Sequence, residues 1–142
     1  MHYSKLVDAD IAYLKSIVGS EHIYVGDAIL EDYAHDELGE TRAFPEVVVE
    51  PDSAEAISAI MRHAYERNIP VTVRGSGTGL CGGCVPIYGG ILLSTARLNR
   101  ILEIDTDNLM ATVEPGVILL DFQESVESMG FLYAPDPGEK SA

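Results

Sequence analysis

Residues 71–86 constrain this chain more than any other stretch. A β-branched run, Val71-Thr72-Val73, ends at Arg74 and opens into a loop carrying Gly75, Gly77, Gly79, Gly82 and Gly83. Five glycines in nine residues exceed what a single tight turn needs. Without Cβ atoms the main chain reaches angles closed to other residues, and a ligand can lie directly against it. A strand ending in such a loop presents consecutive N–H groups to one point, and backbone alone then binds a phosphate.

Two lookalikes are set aside by the residues after the loop. Gly77-Thr78-Gly79-Leu80-Cys81-Gly82 matches the G-x-G-x-x-G dinucleotide fingerprint, but that motif requires a helix opening inside it. Pro86 and the glycines at 82, 83, 89 and 90 oppose a helix there. No Gly-Lys-Ser/Thr follows, so a Walker-type loop is excluded as well.

The formal net charge of −14 argues against nucleic acid or an anionic membrane surface as a partner. An anionic cofactor would have to be held by local amides against that field. The 142 residues are 46% hydrophobic, enough for one domain or part of a larger one with a buried core. No apolar run is long enough to cross a membrane, and no signal-peptide pattern opens the chain. The only cysteines, Cys81 and Cys84, do not make a disulfide framework. A cytoplasmic protein is the expectation.

Val7, Ile11, Leu14 and Val18 repeat at helical spacing and predict a helix over 4–18, stopped by Gly19. Residues 23–25 are too short to assign. Residues 27–44 are acidic and read as a solvated, partly helical connector, with His35 and Asp36 on its surface. From Pro45 the pattern changes. Residues 47–49 form a short buried strand. A helix follows to about Arg67, with Asp52 and Glu55 in capping-box spacing, burying Ile57, Ile60, Met61 and Ala64. Residues 71–73 are the next strand, so the segment reads as a β-α-β unit of a parallel pair. The glycine loop sits at the carboxyl end of its second strand, where open α/β sheets bind ligands. Further strands are expected at 91–94, 101–105 and 110–114. A second amphipathic helix carries Leu119, Phe122, Val126 and Met129 and stops at Gly130. The last residues read as a loop cut before its next element, as in a longer polypeptide.

Several of these blocks occur together in one known family. Residues 70–80, Gly89-Gly90-Ile91, 99–105, 111–116 and Pro135-Asp136-Pro137-Gly138, in this order, resemble FAD-linked oxidases of the vanillyl-alcohol oxidase type, with a p-cresol-methylhydroxylase (PCMH) type FAD-binding domain. The branch most similar is the D-lactate dehydrogenase and glycolate oxidase FAD subunit. The resemblance covers 45–142 well and 1–44, an N-terminal helical segment, loosely. It implies an α+β fold of two subdomains with FAD between them: a first subdomain built on β-α-β with further strands, and here the start of the second.

The resemblance also implies a binding set. Arg74, Gly75, Ser76, Gly77, Thr78, Gly79, Leu80, Gly82 and Gly83 would wrap the FAD pyrophosphate and ribose. Glu114, Pro115, Gly116 and Val117 would line the adenine side. Pro135, Asp136, Pro137 and Gly138, with Ser141 and Ala142, would start the stretch along the pyrophosphate and flavin. For Arg74 a second role stays open, tying the loop down through carbonyls. No catalytic base and no metal ligand can be named, since those positions lie mostly beyond Ala142 in the family. Several relatives attach FAD to a histidine in this loop. Thr78 stands at that position and cannot supply the imidazole nitrogen, so the flavin is expected to be non-covalent.

The resemblance implies an FAD-dependent dehydrogenase of D-lactate, glycolate or a similar 2-hydroxy acid. Electrons would pass to a protein partner, an electron-transfer flavoprotein or iron-sulfur subunit. The alternatives are another FAD-linked enzyme of this fold, as in ether-lipid synthesis or cell-wall precursor reduction, and a redox or metal module built on Cys81-x-x-Cys84. For the two cysteines, the expectation is small packing residues in a crowded loop.

Overall fold

The structure, a computed structural model, describes residues 2–135. Its centre is a four-stranded sheet in the order β1-β2-β4-β3. β1 (Ile23–Val25) pairs antiparallel with β2 (Val47–Val49), while β3 (Val71–Arg74) and β4 (Ile91–Ser94) are parallel to each other, and β4 is parallel to β2. The two middle strands, Val47-Val48-Val49 and Ile91-Leu92-Leu93-Ser94, are buried along their whole length. The apolar runs 47–49 and 91–93 suit strands covered on both faces. β3 lies at an edge, and its Val73 is exposed.

This order changes the β-α-β expectation. β2 and β3 are parallel, but β4 lies between them, Val47 and Val71 both standing opposite Ile91. The strand after the glycine loop therefore returns to the centre of the sheet and fixes both ends of the loop.

α1 (Asp8–Val18) and α2 (Ala54–Arg67) pack on one core with the sheet. Leu14 and Val18 of α1 meet Ile60 and Ala64 of α2, Val47 and Val49 of β2, and Ile91 and Leu93 of β4. α1 and β1, which precede residue 45, thus share a core and a sheet with the elements beyond it. α1 starts later than the periodicity predicts. The Asp10 carboxylate accepts the Val7 N–H at 2.9 Å and fixes the first turn there. The preceding residues are extended, held by Ser4 N–H to Asn68 carbonyl at 2.9 Å and Leu6 N–H to the Glu46 carboxylate at 2.9 Å. α2 is capped by Ser53, whose hydroxyl accepts the Ala56 N–H at 3.3 Å, in place of the expected Asp52. Met61 faces solvent, and Ala56 takes the buried position instead. The helix ends at Asn68 in the left-handed conformation.

β5 (Ile101–Asp105) and β6 (Met110–Val113) form a separate antiparallel hairpin. Asp105 organises its turn by accepting the N–H groups of Asp107 and Asn108. α3 (Leu119–Glu127) comes next, with Val126 buried and Met129 exposed beyond its end. Among the described residues, no helix is long and apolar enough to cross a membrane.

Candidate functional site

The glycine loop leaves β3 at Arg74 and carries an open row of donors. The N–H groups of residues 75–81 donate to no described protein acceptor. A Cβ placed on Gly75, Gly79 or Gly83 would meet nothing within 4 Å. Open amides beside bare Cα atoms fit an anion lying against the main chain, and the pyrophosphate of FAD is such an anion. Gly77 differs: it has φ +83°, and a Cβ there would fall 1.9 Å from Arg74 Nη2. Gly82 also departs from the row, since its N–H is taken by a protein carboxylate.

Arg74 is 7% exposed and turned inward. Its Nη1 donates to the His35 carbonyl at 2.7 Å and to Cys84 Sγ at 3.4 Å, and its guanidinium lies 5.9 Å from the Tyr33 ring centroid. Of the two roles open to Arg74, these contacts are those of a tie on the loop. Cys81 is exposed and Cys84 half-buried, both as free thiols. Among the described residues no group of three His, Cys, Asp or Glu is placed to hold a metal.

The acidic connector is not a solvated face throughout. Ala34 is fully buried and Asp36 is 3% exposed. Residues 31–43 form a strap laid over the loop. It is closed on itself by a bridge between His35 and Arg42 and by Ala43 N–H to Ala34 carbonyl at 2.8 Å. Tyr33 anchors it to the end of β2 by donating to Glu50 at 3.3 Å, beside Tyr24, which donates to the same carboxylate at 3.1 Å. Burial first, and then Glu50, push the Tyr33 hydroxyl up to about 12, so it stays protonated as a donor. Asp36 accepts Gly82 N–H at 2.7 Å and Gly39 N–H at 3.1 Å. The Gly82 amide, ahead of the Gly39 amide, holds its carboxyl below the usual carboxylate range. Sequence reasoning missed this residue. The signal available was an Asp three residues before a glycine, the spacing of a side-chain-capped turn.

The second group, residues 114–117, comes after β6. Thr95 joins it to the loop: its N–H donates to the Arg74 carbonyl at 3.0 Å, and its own carbonyl would lie 2.1 Å from a Cβ on Gly116. Gly116 N–H donates to the Leu98 carbonyl at 2.7 Å, so the Pro115-Gly116 turn sits tight on residues 95–98. Thr95 Oγ1 is buried there with no hydrogen-bond partner among the described residues. Glu114 is engaged by the protein, its carboxylate accepting Arg100 Nη2 at 2.7 Å and Arg100 N–H at 2.8 Å. Those bonds hold its carboxyl below the usual range. Val117 instead lines a cavity of about 460 Å³ between the β5–β6 hairpin and α3, with Leu119, Phe122 and Val126. No residue of the glycine loop lines it. Pro135 accepts from Gln123 Nε2 at 3.1 Å through its carbonyl. Asp136, Pro137, Gly138, Ser141 and Ala142 lie outside the described residues.

A family profile described as an FAD binding domain matches residues 45–142. The chain belongs to that family. It is 42% identical over 141 residues to D-lactate dehydrogenase of Anaerostipes hadrus, covering 99% of this chain and 30% of that protein. It is 46% identical over 105 residues to the glycolate oxidase subunit of Bacillus subtilis, covering 74% of this chain and 22% of that one. This FAD binding domain thus spans less than a third of the length of such relatives. Its fold matches p-cresol methylhydroxylase with a TM-score of 0.75 at 19% identity, over 90% of this chain and 26% of that one. The expected α+β fold is thereby shared with p-cresol methylhydroxylase, and the expected cofactor, FAD, is that of the family.

Proposed function

We propose that this chain is the FAD-binding portion of a D-2-hydroxyacid dehydrogenase acting on D-lactate or glycolate. The observation that carries the reading is the open row of amides at residues 75–81, in a chain whose similarity to a D-lactate dehydrogenase runs over 99% of its length. The flavin, once bound, supplies the hydride-accepting chemistry. The chain's own part is to hold the cofactor. The amides of residues 75–81 would face the pyrophosphate, with Ser76 and Thr78 offering hydroxyl donors beside them. The turn at Pro115-Gly116-Val117 would pass the adenine end.

Amides suit this chain better than cations would. The one arginine of the loop is engaged internally, and the chain's charge of −14 opposes an anion. Affinity then rests on directional N–H donors at short range. With Thr78 in place of a histidine, the flavin is held without a covalent bond, so acid precipitation of the complete protein leaves the yellow colour in the supernatant. The electrons leave to a protein partner such as an electron-transfer flavoprotein. Turnover with that partner therefore falls as salt rises, while flavin reduction by substrate does not.

The deciding experiment is anaerobic titration of the complete flavoprotein with D-lactate, glycolate and a panel of larger 2-hydroxy acids. Bleaching of the flavin bands by D-lactate or glycolate is expected. No bleaching by any 2-hydroxy acid, in a protein that carries flavin, would overturn the substrate reading.

A further inference from the structure

We infer that Asp36 is a positioning residue for the cofactor loop: from the strap it holds Gly82 and so sets the shape in which the amides of residues 75–81 face outward. The inference rests on the FAD reading above and assigns a new part of the chain to that site.

Three consecutive strap residues each hold a different point of the loop. The His35 carbonyl accepts Arg74 Nη1 at 2.7 Å, the Asp36 carboxylate accepts Gly82 N–H at 2.7 Å, and Glu37 N–H donates to the Gly79 carbonyl at 3.2 Å. Together they grip the start, the middle and the far side of the glycine run. Gly82 takes φ +71°, an angle open to glycine, but no steric contact pins it there. A Cβ there would meet nothing within 4 Å, so no wall of side chains fixes this residue. Its restraint is the hydrogen bond to Asp36 and the turn closed by Val85 N–H on its carbonyl at 3.0 Å.

The acceptor is a carboxylate, which by Coulomb's law works against a nearby phosphate. Its position resolves the conflict. Asp36 is 3% exposed, and its two oxygens face the Gly82 and Gly39 amides. It acts from the strap, through the Gly82 backbone amide, and the strap that carries it is anchored to Glu50 by Tyr33. A charge-assisted hydrogen bond to a buried acceptor holds more strongly than a neutral one.

The test uses the complete protein with Asp36→Ala and Asp36→Asn. Two quantities are read: the FAD dissociation constant, and hydrogen exchange at the Gly82 amide against the amides of β4. In Asp36→Ala the dissociation constant should rise about tenfold or more, and Gly82 should exchange faster while β4 stays protected. Asp36→Asn keeps one acceptor oxygen and should fall between wild type and Ala in both. An unchanged dissociation constant in Asp36→Ala overturns the inference, as does exchange that accelerates equally in β4. If Asp36→Ala does not fold, Asp36→Asn decides on the same two readouts, and no change in either overturns it. If the wild-type protein takes up no FAD, the functional reading fails instead, and Gly82 exchange in the apoprotein still decides the role of Asp36.

Discussion

The guanidinium of Arg74 occupies the space where Gly77 would carry a side chain, 1.9 Å from a Cβ built at that position. The same guanidinium is held to the His35 carbonyl. Gly77 is thus a glycine for a reason internal to the protein. Gly79, two residues on, has nothing within 4 Å of its would-be Cβ.

That contrast separates two substitutions of similar chemistry. Gly77→Val must displace Arg74 and adopt φ +83°, a strained angle costing about 1–3 kcal/mol before any clash is counted. It should lower both the apoprotein's unfolding free energy and its flavin content. Gly79→Val should leave the apoprotein's stability within about 0.5 kcal/mol, the usual range for an open surface site, and still abolish FAD uptake. Calorimetry of the two apoproteins and the flavin-to-protein absorbance ratio read these outcomes. Normal flavin content in Gly79→Val would show that the cofactor does not use the open face.

Gly116 presses on backbone. Its Cβ would stand 2.1 Å from the Thr95 carbonyl and 2.9 Å from that of Leu98. Neither atom can rotate away, so Gly116→Ala must push the Pro115-Gly116 turn off residues 95–98. Overpacking of this kind costs about 1–3 kcal/mol. Chemical denaturation should show that loss. If stability is unchanged while flavin content falls, Gly116 acts directly on the cofactor.

Apart from β1, whose three residues were too short to assign, the strands and helices were legible because their signals are local. The runs at 47–49 and 91–93 are apolar throughout, and the helices show their period. Adjacency was not legible. Nothing in Val47-Val48-Val49 or Val71-Thr72-Val73 says that Ile91 will come between them, since strand order is decided by packing of the whole sheet. The glycine loop stood out as a candidate anion site, but the residue that holds Gly82 did not stand out. Asp36 lies 46 residues away inside an acidic run, where one buried carboxylate looks like its solvated neighbours. Arg74 and Glu114 show the same limit from the other side. The resemblance assigned them to the cofactor, and nothing in the sequence signalled the protein partners the structure adds, His35 for Arg74 and Arg100 for Glu114.

Cys84 accepts a long contact from Arg74, and Cys81 points to solvent. Serine at both positions keeps an acceptor near Arg74 and adds no bulk. Flavin content and turnover of the double variant should stay within about twofold of wild type, the effect of a surface-type change below about 0.5 kcal/mol. A large loss that a metal chelator reproduces in the wild-type protein would make the pair a functional centre.

Asp10 ties α1 to α2 and sets the acid limit of that junction. It is 2% exposed and accepts His63 Nε2 at 2.9 Å, Arg67 Nε at 3.0 Å and Val7 N–H at 2.9 Å. Burial pushes its carboxyl up, but the Val7 amide, Arg67 and His63 together outweigh it and hold the carboxyl below its ordinary value of 3.8. A carboxylate depressed in the folded state binds fewer protons there than in the unfolded chain. Its contribution is therefore complete above the unfolded value and is lost as pH falls through the lower folded one. Asp10→Asn removes the charge and leaves Arg67, half exposed, to water. The expected loss at pH 7 is about 1–3 kcal/mol, the scale of hydrogen bonds to a charged group with one solvated partner. Asp36, Asp105 and Glu114 are also held low, so the wild-type acid curve alone cannot single out Asp10. The difference between wild type and Asp10→Asn can. That difference should be present above about pH 5 and shrink toward zero below about pH 4, because the protonated wild type then resembles the variant. Denaturant midpoints across pH 2.5–7 measure it, and a difference that persists unchanged at the acid end would mean that the charge on Asp10 is not what joins the two helices.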